Sequence, residues 1–396
     1  MAHPTFPTRL LRLREARARF GPLADAMGSA LWRMDPIADR AAEALAELGP
    51  ARAELDLDRV LDGADGPAAL VALREAAARF PAWADEDRLA HAGELLFRAG
   101  MPGGVVLGAK SLLSGYTSPA GNKPLMMSGG LRANVSRRLA ETAKFVGAVA
   151  EPGGLTPGRE GFRITLRVRL MHAQVRRLIA RRDDWRAEDW GAPINQHDMV
   201  ATILLFAHAW LDGVQALGVH VSDREAEDYV HLWRVAGHVL GVEHELLPAT
   251  RAEGDRIARF LALTEGPPDD DSRALVRSFF EGPVVAAATE RERRLARRRM
   301  QAYAGLVRGL LGEEVADQLG LERDRWRFTA PAVREVVRRM ERLRRTVPGG
   351  RRLAVEAGRR HWAQVVELGL MGRPAEFALP RTLGRFAPGP HPPAVA

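Results

Sequence analysis

A single histidine lies among arginines at a spacing that suits the binding of a metal-centred group. In the segment RITLRVRLMHAQVRRLIARR, residues 163–182, Arg169, His172 and Arg176 stand at i, i+3 and i+7 along one edge of a predicted helix. Neighbouring guanidiniums disfavour the imidazolium ion, so His172 is expected to be neutral, the form that ligates metals. Guanidiniums also bind carboxylates bidentately. The plainer interpretation is a hydrogen-bonded histidine at a helix interface, with solvated arginines beside it.

The helix around His172 is predicted from apolar residues that recur on one face, namely Ile164, Val168, Met171, Val175, Leu178 and Ile179. The next helix is expected to begin near Asn195, a possible N-cap, and Gln196 is a possible partner of the helix that carries His172. Upstream, a helix over residues 131–149 places Arg138 and Thr142 at i and i+4 on one face.

These motifs together resemble a known family. The pattern R-x-R-x-x-H-A-x-V-R-R at residues 167–177, followed by G-x-P-I-N-Q-x-D-M at residues 191–199, is similar to the domain shared by latex clearing proteins (rubber oxygenases) and the mycophenolic-acid-pathway oxygenase. The resemblance covers about residues 95–250. It implies an all-helical domain that binds haem b through a proximal histidine, and the matching position is His172.

The resemblance also assigns roles to the upstream residues. Thr142, 30 residues before His172, would donate a hydrogen bond to bound dioxygen or water, and Arg138 would pair with a haem propionate or stabilise developing negative charge. Glu141 stands where rubber-cleaving members have a distal lysine, and Asn122 stands where a distal glutamate acts as base. Polyisoprene cleavage is therefore not carried over. Without the resemblance, Thr142 would bond to the Arg138 carbonyl, and Arg138 would pair with Glu141 or another acid.

For the two remaining arginines, Arg169 and Arg176, two roles are open: to anchor the propionates or to orient the His172 helix. The predicted catalytic residues are thus Arg138, Glu141 and Thr142. The predicted haem-binding residues are His172, Arg138, Arg169 and Arg176, with His172 as the iron ligand.

Composition limits the other possibilities. The 396 residues are 46% hydrophobic and 27% charged, typical of a globular protein. The absence of cysteine excludes disulfides, iron–sulfur clusters and thiolate-ligated haem. The net charge is +8, but all except three of the 58 basic residues are arginine, as in a GC-rich genome, so no nucleic-acid partner is expected.

The expected organisation is a helical arm (residues 1–20), an all-helical oxygenase-like domain (21–372) and a Pro- and Gly-rich tail (373–396). The glycine-rich stretch 101–108 is expected to serve helix packing, and 115–130 to be a long loop from which Tyr116 and Asn122 reach a pocket. The N-terminus has no apolar signal region, which favours a cytoplasmic protein. The apolar stretch 199–219 contains polar residues and is expected to be a core helix, without stable membrane insertion.

The predicted fold class is all-α: a single globular helical domain with a globin-like arrangement around a haem pocket. The predicted function is haem b-dependent oxidation of a small hydrophobic molecule by dioxygen or peroxide. Two alternatives remain open, a non-haem metal oxygenase that uses the histidines of residues 197–244, and a non-enzymatic, arginine-rich helical binding protein. The oligomeric state is left open.

Overall fold

All the regular structure is helical in the computed structural model, which describes residues 5–128, 135–375 and 377–383. The helices before the His172 region are α1 (Leu13–Phe20), α2 (Pro22–Ala30), α3 (Pro36–Glu47), α4 (Pro50–Leu61), α5 (Ala68–Ala78), α6 (Glu86–Ala92), α7 (Glu94–Val106), α8 (Leu113–Gly115), α9 (Lys123–Met127) and α10 (Val135–Ala150). A π-helical segment, π1 (Leu107–Leu112), joins α7 to α8.

The later helices are α11 (Glu160–Ile179), α12 (Ala187–Trp190), α13 (Gln196–Leu204), α14 (Trp210–Ala216), α15 (Asp223–Val239), α16 (Arg251–Thr264), α17 (Asp270–Val285), α18 (Glu290–Leu311), α19 (Glu313–Gln318), α20 (Thr329–Thr346) and α21 (Gly350–Leu370). A second π-helical segment, π2 (Leu205–Ala209), joins α13 to α14. Short 3₁₀ turns lie at His244–Leu246 and Arg325–Phe328. The all-α prediction is confirmed.

Several helix ends follow directly from local side-chain chemistry. The Asn195 side chain accepts a hydrogen bond from the Asp198 amide and caps α13 as predicted, and Ser222 with Glu225 forms a capping box at α15. In the predicted helical arm, the described residues are helical only from Leu13, where α1 begins. Arg12, immediately before it, has a φ of 49°, which a helix does not admit.

The chain from Gln196 to Ala216 is one continuous run through α13, π2 and α14, and it occupies the centre of the main core. Its length of 21 residues and its apolar composition, with a mean hydropathy of 1.3, would suit a membrane span. However, α2, α7, α15 and α16 pack around it. Val200, Trp210, Leu211 and Val214 are fully buried. The predicted core helix is therefore present.

The glycine-rich stretch before π1 has the packing role that was predicted. A Cβ atom on Gly103 would lie 3.0 Å from the Trp210 ring, and the Trp210 indole donates a hydrogen bond of 2.9 Å to the Gly103 carbonyl. Gly100 has a φ of 50° and kinks α7. These glycines let α7 approach the central helix closely.

Helix α11 is buried on two sides. Phe162, Leu166, Leu170 and Ala173 pack against α3, α4 and α5 in a second apolar cluster, which the sequence pattern did not predict. On the predicted apolar face, Val175 and Ile179 are buried, but Val168, Met171 and Leu178 are only partly buried. The middle of α11 therefore keeps accessible surface on the face that carries His172.

Both chain ends pack on the body within the described residues. Arg9 is held by carboxylates of Asp198 and Glu265 at 2.8 Å each. Phe377 is buried, and the Pro380 carbonyl accepts a hydrogen bond of 2.9 Å from Gln174 of α11. Residues 384–396 of the predicted tail and 129–134 of the predicted loop lie outside the described residues. The division into arm, domain and tail stays a prediction.

Candidate functional site

His172 lies in the middle of α11 with its ring partly accessible. Its Nδ1 atom is buried and has no hydrogen-bond partner among the described residues. Burial lowers the pKa of His172 to about 4, and the nearby charge of Arg176 contributes to this shift. The imidazole is therefore neutral at physiological pH, as the sequence predicted. A ring that is accessible and also strongly desolvated lies in a recess, not on an open surface.

The two arginines beside His172 are already paired with carboxylates of α3. The Arg169 guanidinium binds Asp35 through Nε at 2.7 Å and Nη2 at 3.0 Å, and its Nη1 donates to the Val239 carbonyl at 3.2 Å. Arg176 binds Asp39 through Nε at 2.7 Å. Of the two predicted roles, the geometry favours orientation of the His172 helix and not propionate anchoring, since the donors of Arg169 are occupied inside the protein.

On α10, the three predicted catalytic residues, Arg138, Glu141 and Thr142, differ in the interactions that they make. Thr142 donates a hydrogen bond of 2.9 Å to the Arg138 carbonyl, the arrangement expected without the family resemblance. Glu141 accepts a hydrogen bond of 3.0 Å from Arg137 and does not form an ion pair with Arg138. The hydroxyl of Thr142 keeps acceptor capacity after its one donation.

Arg138 is the predicted site residue whose guanidinium remains available. It has no hydrogen bond or ion pair with the part of the chain that the structure describes, and it is exposed. Nevertheless, surrounding protein lowers the pKa of Arg138 by desolvation, while the Tyr116 hydroxyl nearby opposes that shift. Accessible surface together with desolvation again indicates a side chain that lines a recess.

Helices α10 and α11 form an antiparallel pair, which places these residues at comparable heights. The pair is tightest near its connection, where a Cβ on Gly161 would lie 2.5 Å from the Ala148 carbonyl oxygen and Lys144 binds Glu160 at 2.7 Å. At the rise of about 1.5 Å per residue of an α-helix, Arg138 and His172 each lie roughly 15 Å from that contact, measured along their own helix. The middle of this hairpin is the candidate site.

The elements around the α10–α11 hairpin contribute apolar side chains to the main core. An aromatic group links α10, π2 and α15: the Phe145 ring lies 5.9 Å from Phe206, which stacks on Trp233 at 4.7 Å. Partly buried apolar side chains that pack against the main core are Leu107, Leu112, Leu125, Met126, Leu139, Val168, Ile194 and Phe206. Such surroundings suit an apolar ligand with a few polar anchors.

The two π-helical segments were not predicted, and they contact each other. A short π-helical segment is a bulge with i→i+5 hydrogen bonds that adds one residue to a turn of an α-helix, and such bulges are frequent at functional sites. Hydrophobic periodicity alone could not reveal either segment, because both sit within otherwise regular apolar runs. Lys110 of π1 is partly buried, and burial lowers its pKa.

Of the two loop residues expected to reach a pocket, only Tyr116 is near a site residue. Its hydroxyl interacts electrostatically with Arg138, and burial raises the pKa of this phenol. Asn122 is buried and donates hydrogen bonds to the Tyr116 carbonyl at 2.9 Å and to Ser272 at 3.1 Å. It therefore ties the loop to α17. The expectation that Asn122 reaches a pocket is wrong, since both bonds hold its amide in the protein interior.

The histidine-rich stretch forms a cluster with acidic residues at one place. One ligand atom each from His197, Asp198 and Glu265 lies within 4.8 Å of the others. Arg9 binds both carboxylates at 2.8 Å, so a cation already neutralises this group. His238 and His244 contact each other at 2.7 Å without a carboxylate partner. The non-haem alternative gains little support from this arrangement.

The Arg9–Glu265 ion pair makes the free energy of unfolding depend on pH. Burial would raise the pKa of Glu265, but the charge of Arg9 outweighs it and lowers the pKa to about 2. A carboxylate with a depressed pKa stabilises the fold above its ordinary pKa and loses that effect as pH falls towards 2. We expect Glu265→Gln to lower the free energy of unfolding by roughly 2–3 kcal/mol at pH 7.

The measurement is urea denaturation of both proteins between pH 7 and pH 2.5. The difference between wild type and Glu265→Gln should shrink as the pH falls below about 4.5. Glu15→Gln is the control, because Glu15 forms an exposed pair with Arg19 and should change stability little at any pH. A difference that stays constant with pH would contradict this assignment.

Comparisons with known proteins agree with the fold and with the motifs around His172. The chain is 30% identical over 186 residues to the rubber oxygenase of Streptomyces sp. (strain K30), and this match spans 46% of each protein. The chain thus matches about half the length of that curated relative. A solved structure of latex clearing protein in its closed state superimposes with a TM-score of 0.68 and 25% identity, covering 84% of this chain and 91% of that one.

A family model described as the catalytic domain of the ER-bound oxygenase mpaB/B′ and of rubber oxygenase matches residues 97–348. The match covers more than half of the chain and contains both α10 and α11. It also extends well beyond residue 250, where the sequence motifs ended. This chain belongs to the mpaB/B′ and rubber oxygenase catalytic-domain family.

Proposed function

We propose that this protein is a haem b-dependent oxygenase that oxidises a small hydrophobic molecule, with His172 as the proximal ligand of the iron. The observation that carries the proposal is His172 itself. It is a neutral imidazole in a recess of α11, its buried Nδ1 has no hydrogen-bond partner among the described residues, and its neighbours hold the helix firmly. Family membership supports oxygenase chemistry at this place.

The residues present fit a haem group. A neutral imidazole is the required form of the ligand, and its pKa of about 4 keeps it in that form across the physiological range. Arg138 is the predicted propionate anchor that forms no ion pair with the described residues, whereas Arg169 and Arg176 are paired with Asp35 and Asp39. Apolar side chains of α10, α11 and π2 provide surroundings compatible with the macrocycle. Haem, when bound, supplies one-electron and dioxygen chemistry that no amino-acid side chain offers.

The protein's own contribution is position and electrostatics. Asp35 and Asp39 fix α11 through Arg169 and Arg176, and this fixes the direction of the His172 ring. Arg138 would hold a carboxylate by charge-assisted hydrogen bonds. Thr142 would accept a hydrogen bond beside the substrate, or donate one there if its hydroxyl turned away from the Arg138 carbonyl. Glu141, held by Arg137, is placed to keep a negative charge near Arg138 and not to reach the substrate.

The substrate class rests on the apolar walls and on two departures from the rubber-cleaving pattern. Glu141 and Asn122 stand at positions where that pattern has a lysine and a glutamate, and Asn122 is committed to Tyr116 and Ser272. The proposed substrate is therefore a small hydrophobic molecule and not polyisoprene. A cytoplasmic location is proposed with it.

The experiment is a spectrum and a pyridine haemochrome assay of protein produced with iron and a haem precursor. A strong Soret band with one haem b per chain is expected, followed by oxygen uptake when apolar alkenes or terpenes are added. A folded, colourless protein that does not take up added haemin would overturn the haem assignment. Stoichiometric haem without oxygen or peroxide consumption on any apolar substrate would leave a haem-binding protein and overturn the oxygenase assignment.

Arg138→Ala should weaken haem binding without unfolding the protein. The guanidinium is exposed and makes no bond to the described residues, so its removal costs the fold little. Loss of a hydrogen bond to a charged group corresponds to about 1.5–3 kcal/mol, or roughly tenfold to a hundredfold in haem affinity. Competition with apomyoglobin would measure it. Arg345→Ala, an exposed arginine of α20, is the matched control; equal losses in both variants would contradict the role of Arg138.

A further inference from the structure

A basic cavity lies away from His172, where five helices meet. It has a volume of about 470 Å³ and opens between the α6–α7 junction, the start of α15, the end of α20 and the start of α21. This volume is within the range of small-ligand sites. Its lining includes five arginines, namely Arg98, Arg224, Arg344, Arg345 and Arg351. None of them belongs to the α10–α11 hairpin.

The inner wall of the cavity contains a buried arginine with a free donor. The Arg98 side chain is 1% exposed. Its Nη2 donates to Glu225 at 2.9 Å and its Nη1 to the His220 carbonyl at 3.0 Å. Its Nε atom is buried and has no hydrogen-bond partner among the described residues. A buried guanidinium nitrogen without a partner is costly, unless a ligand or water accepts its hydrogen.

Three arginines around the inner wall share three glutamates. Arg344 pairs with Glu341 at 2.8 Å, and Arg351 bridges Glu94 at 3.0 Å and Glu225 at 2.9 Å. Glu225 and Glu341 also contact Arg98, at 2.9 and 3.5 Å, so each of them serves two guanidiniums. Burial lowers the pKa of Arg98, and the charges of Arg344 and Arg351 lower it further. An additional anion would relieve this repulsion.

At the mouth of the cavity, two more arginines have few or no ion-pair partners among the described residues. Arg345 is exposed and has no ion pair with the described residues. Arg224 is 90% exposed and lies 3.7 Å from Asp228, a long contact for an ion pair. The exposed side chains of His91 and His220 lie beside them. The cavity thus has fixed positive groups on its inner wall and adaptable ones at its entrance.

We propose that this cavity binds a small oxyanion, carried by a phosphorylated or polycarboxylate ligand, between Arg98 on the inner wall and Arg345 at the mouth. Guanidiniums bind such groups through paired, charge-assisted hydrogen bonds. The ligand connects α20 and α21 to α7, the helix that leads into π1. Binding there stabilises the packing of the C-terminal helices on the core.

The test uses the full chain and three probes, namely inorganic phosphate, pyrophosphate and citrate, with sodium chloride at matched ionic strength as the reference. Thermal unfolding and isothermal titration calorimetry are the readouts, because a ligand that binds only the folded state raises the melting temperature. At least one probe should give a saturable rise that chloride does not give. Phosphate or pyrophosphate alone would assign a phosphorylated ligand, and citrate alone a polycarboxylate.

Arg345→Glu should weaken that binding at least about tenfold, and it sits in an exposed position that does not endanger folding. Arg298→Glu is the matched control, since Arg298 is an exposed arginine of α18 outside the cavity and the charge change is identical. Arg98→Lys keeps the buried charge, removes the Nε donor and should also weaken binding. No saturable rise with any probe, or equal binding by wild type, Arg345→Glu and Arg98→Lys, would overturn the proposal.

Discussion

Replacing His172 with alanine should remove stoichiometric haem b from the purified protein while leaving it folded. The Nδ1 atom of this ring makes no hydrogen bond within the described part of the chain, so its removal breaks no internal network. The ring is partly accessible, so its truncation removes less buried apolar surface than the truncation of a core side chain would. The Soret band should disappear, and the circular dichroism spectrum should remain helical.

The control for this variant is His361→Ala. His361 lies on α21, is also partly buried, and burial lowers its pKa too, but its ring lies next to Gly104 of α7 and not on the α10–α11 hairpin. Its replacement should leave the haem content unchanged. Unchanged haem content and an unchanged Soret band in His172→Ala would contradict the assignment of the proximal ligand. A loss in both variants would show that haem binding depends only on general stability.

Breaking the ion pair beneath the His172 helix should destabilise the protein strongly. Arg169 and Asp35 are 5% and 6% exposed, and two hydrogen bonds join them. Asp35→Asn leaves the guanidinium buried without a counter-charge, which costs about 3–5 kcal/mol of the free energy of unfolding. Asparagine is nearly isosteric and keeps an oxygen that can cap α3 at the Ala38 amide, so the loss reports the charge.

Two graded controls accompany Asp35→Asn in guanidinium chloride denaturation. The side chain of Asp39 is 27% exposed, so Asp39→Asn should cost less, because water screens its pair with Arg176. Asp184→Asn changes a local pair with Arg182, in which the side chains of the two partners are 24% and 31% exposed, and should cost less than about 1 kcal/mol. In Asp35→Asn the haem affinity should also fall, since α11 loses an anchor. Equal effects of the three variants would mean that burial of the pair is unimportant.

Local sequence chemistry predicted much of the helical framework. The Ser222–Glu225 capping box and the Asn195 cap need only residues within three positions of each other, and both are present. Helix α3, Pro36–Glu47, likewise begins where local chemistry places a start, with proline at its first position and Asp35 as its cap. Helix α4, Pro50–Leu61, was not predicted; its buried apolar face is short, with Leu57, Val60 and Leu61.

The site shows the same division between local and tertiary information. The sequence predicted a neutral His172 from the two arginines beside it, and a pKa of about 4 agrees with that prediction. However, burial is the largest cause and the charge of Arg176 comes second, while Arg169 is paired with Asp35. Nothing within one helix turn could reveal that Asp35 and Asp39 would meet Arg169 and Arg176, since these pairs join residues more than 130 positions apart.

By itself, the sequence therefore determined the all-helical class, the caps and the family, because periodicity, capping and short motifs act within a few residues. Tertiary structure alone decided which charged groups are occupied. Arg169, Arg176 and Asn122 are paired inside the protein, whereas Arg138 has no ion pair with the described residues and Arg98 keeps a buried Nε without a hydrogen-bond partner among them. The physical reason is that a hydrogen bond or ion pair depends on distances of about 3 Å between atoms, which the packing of helices distant in sequence sets.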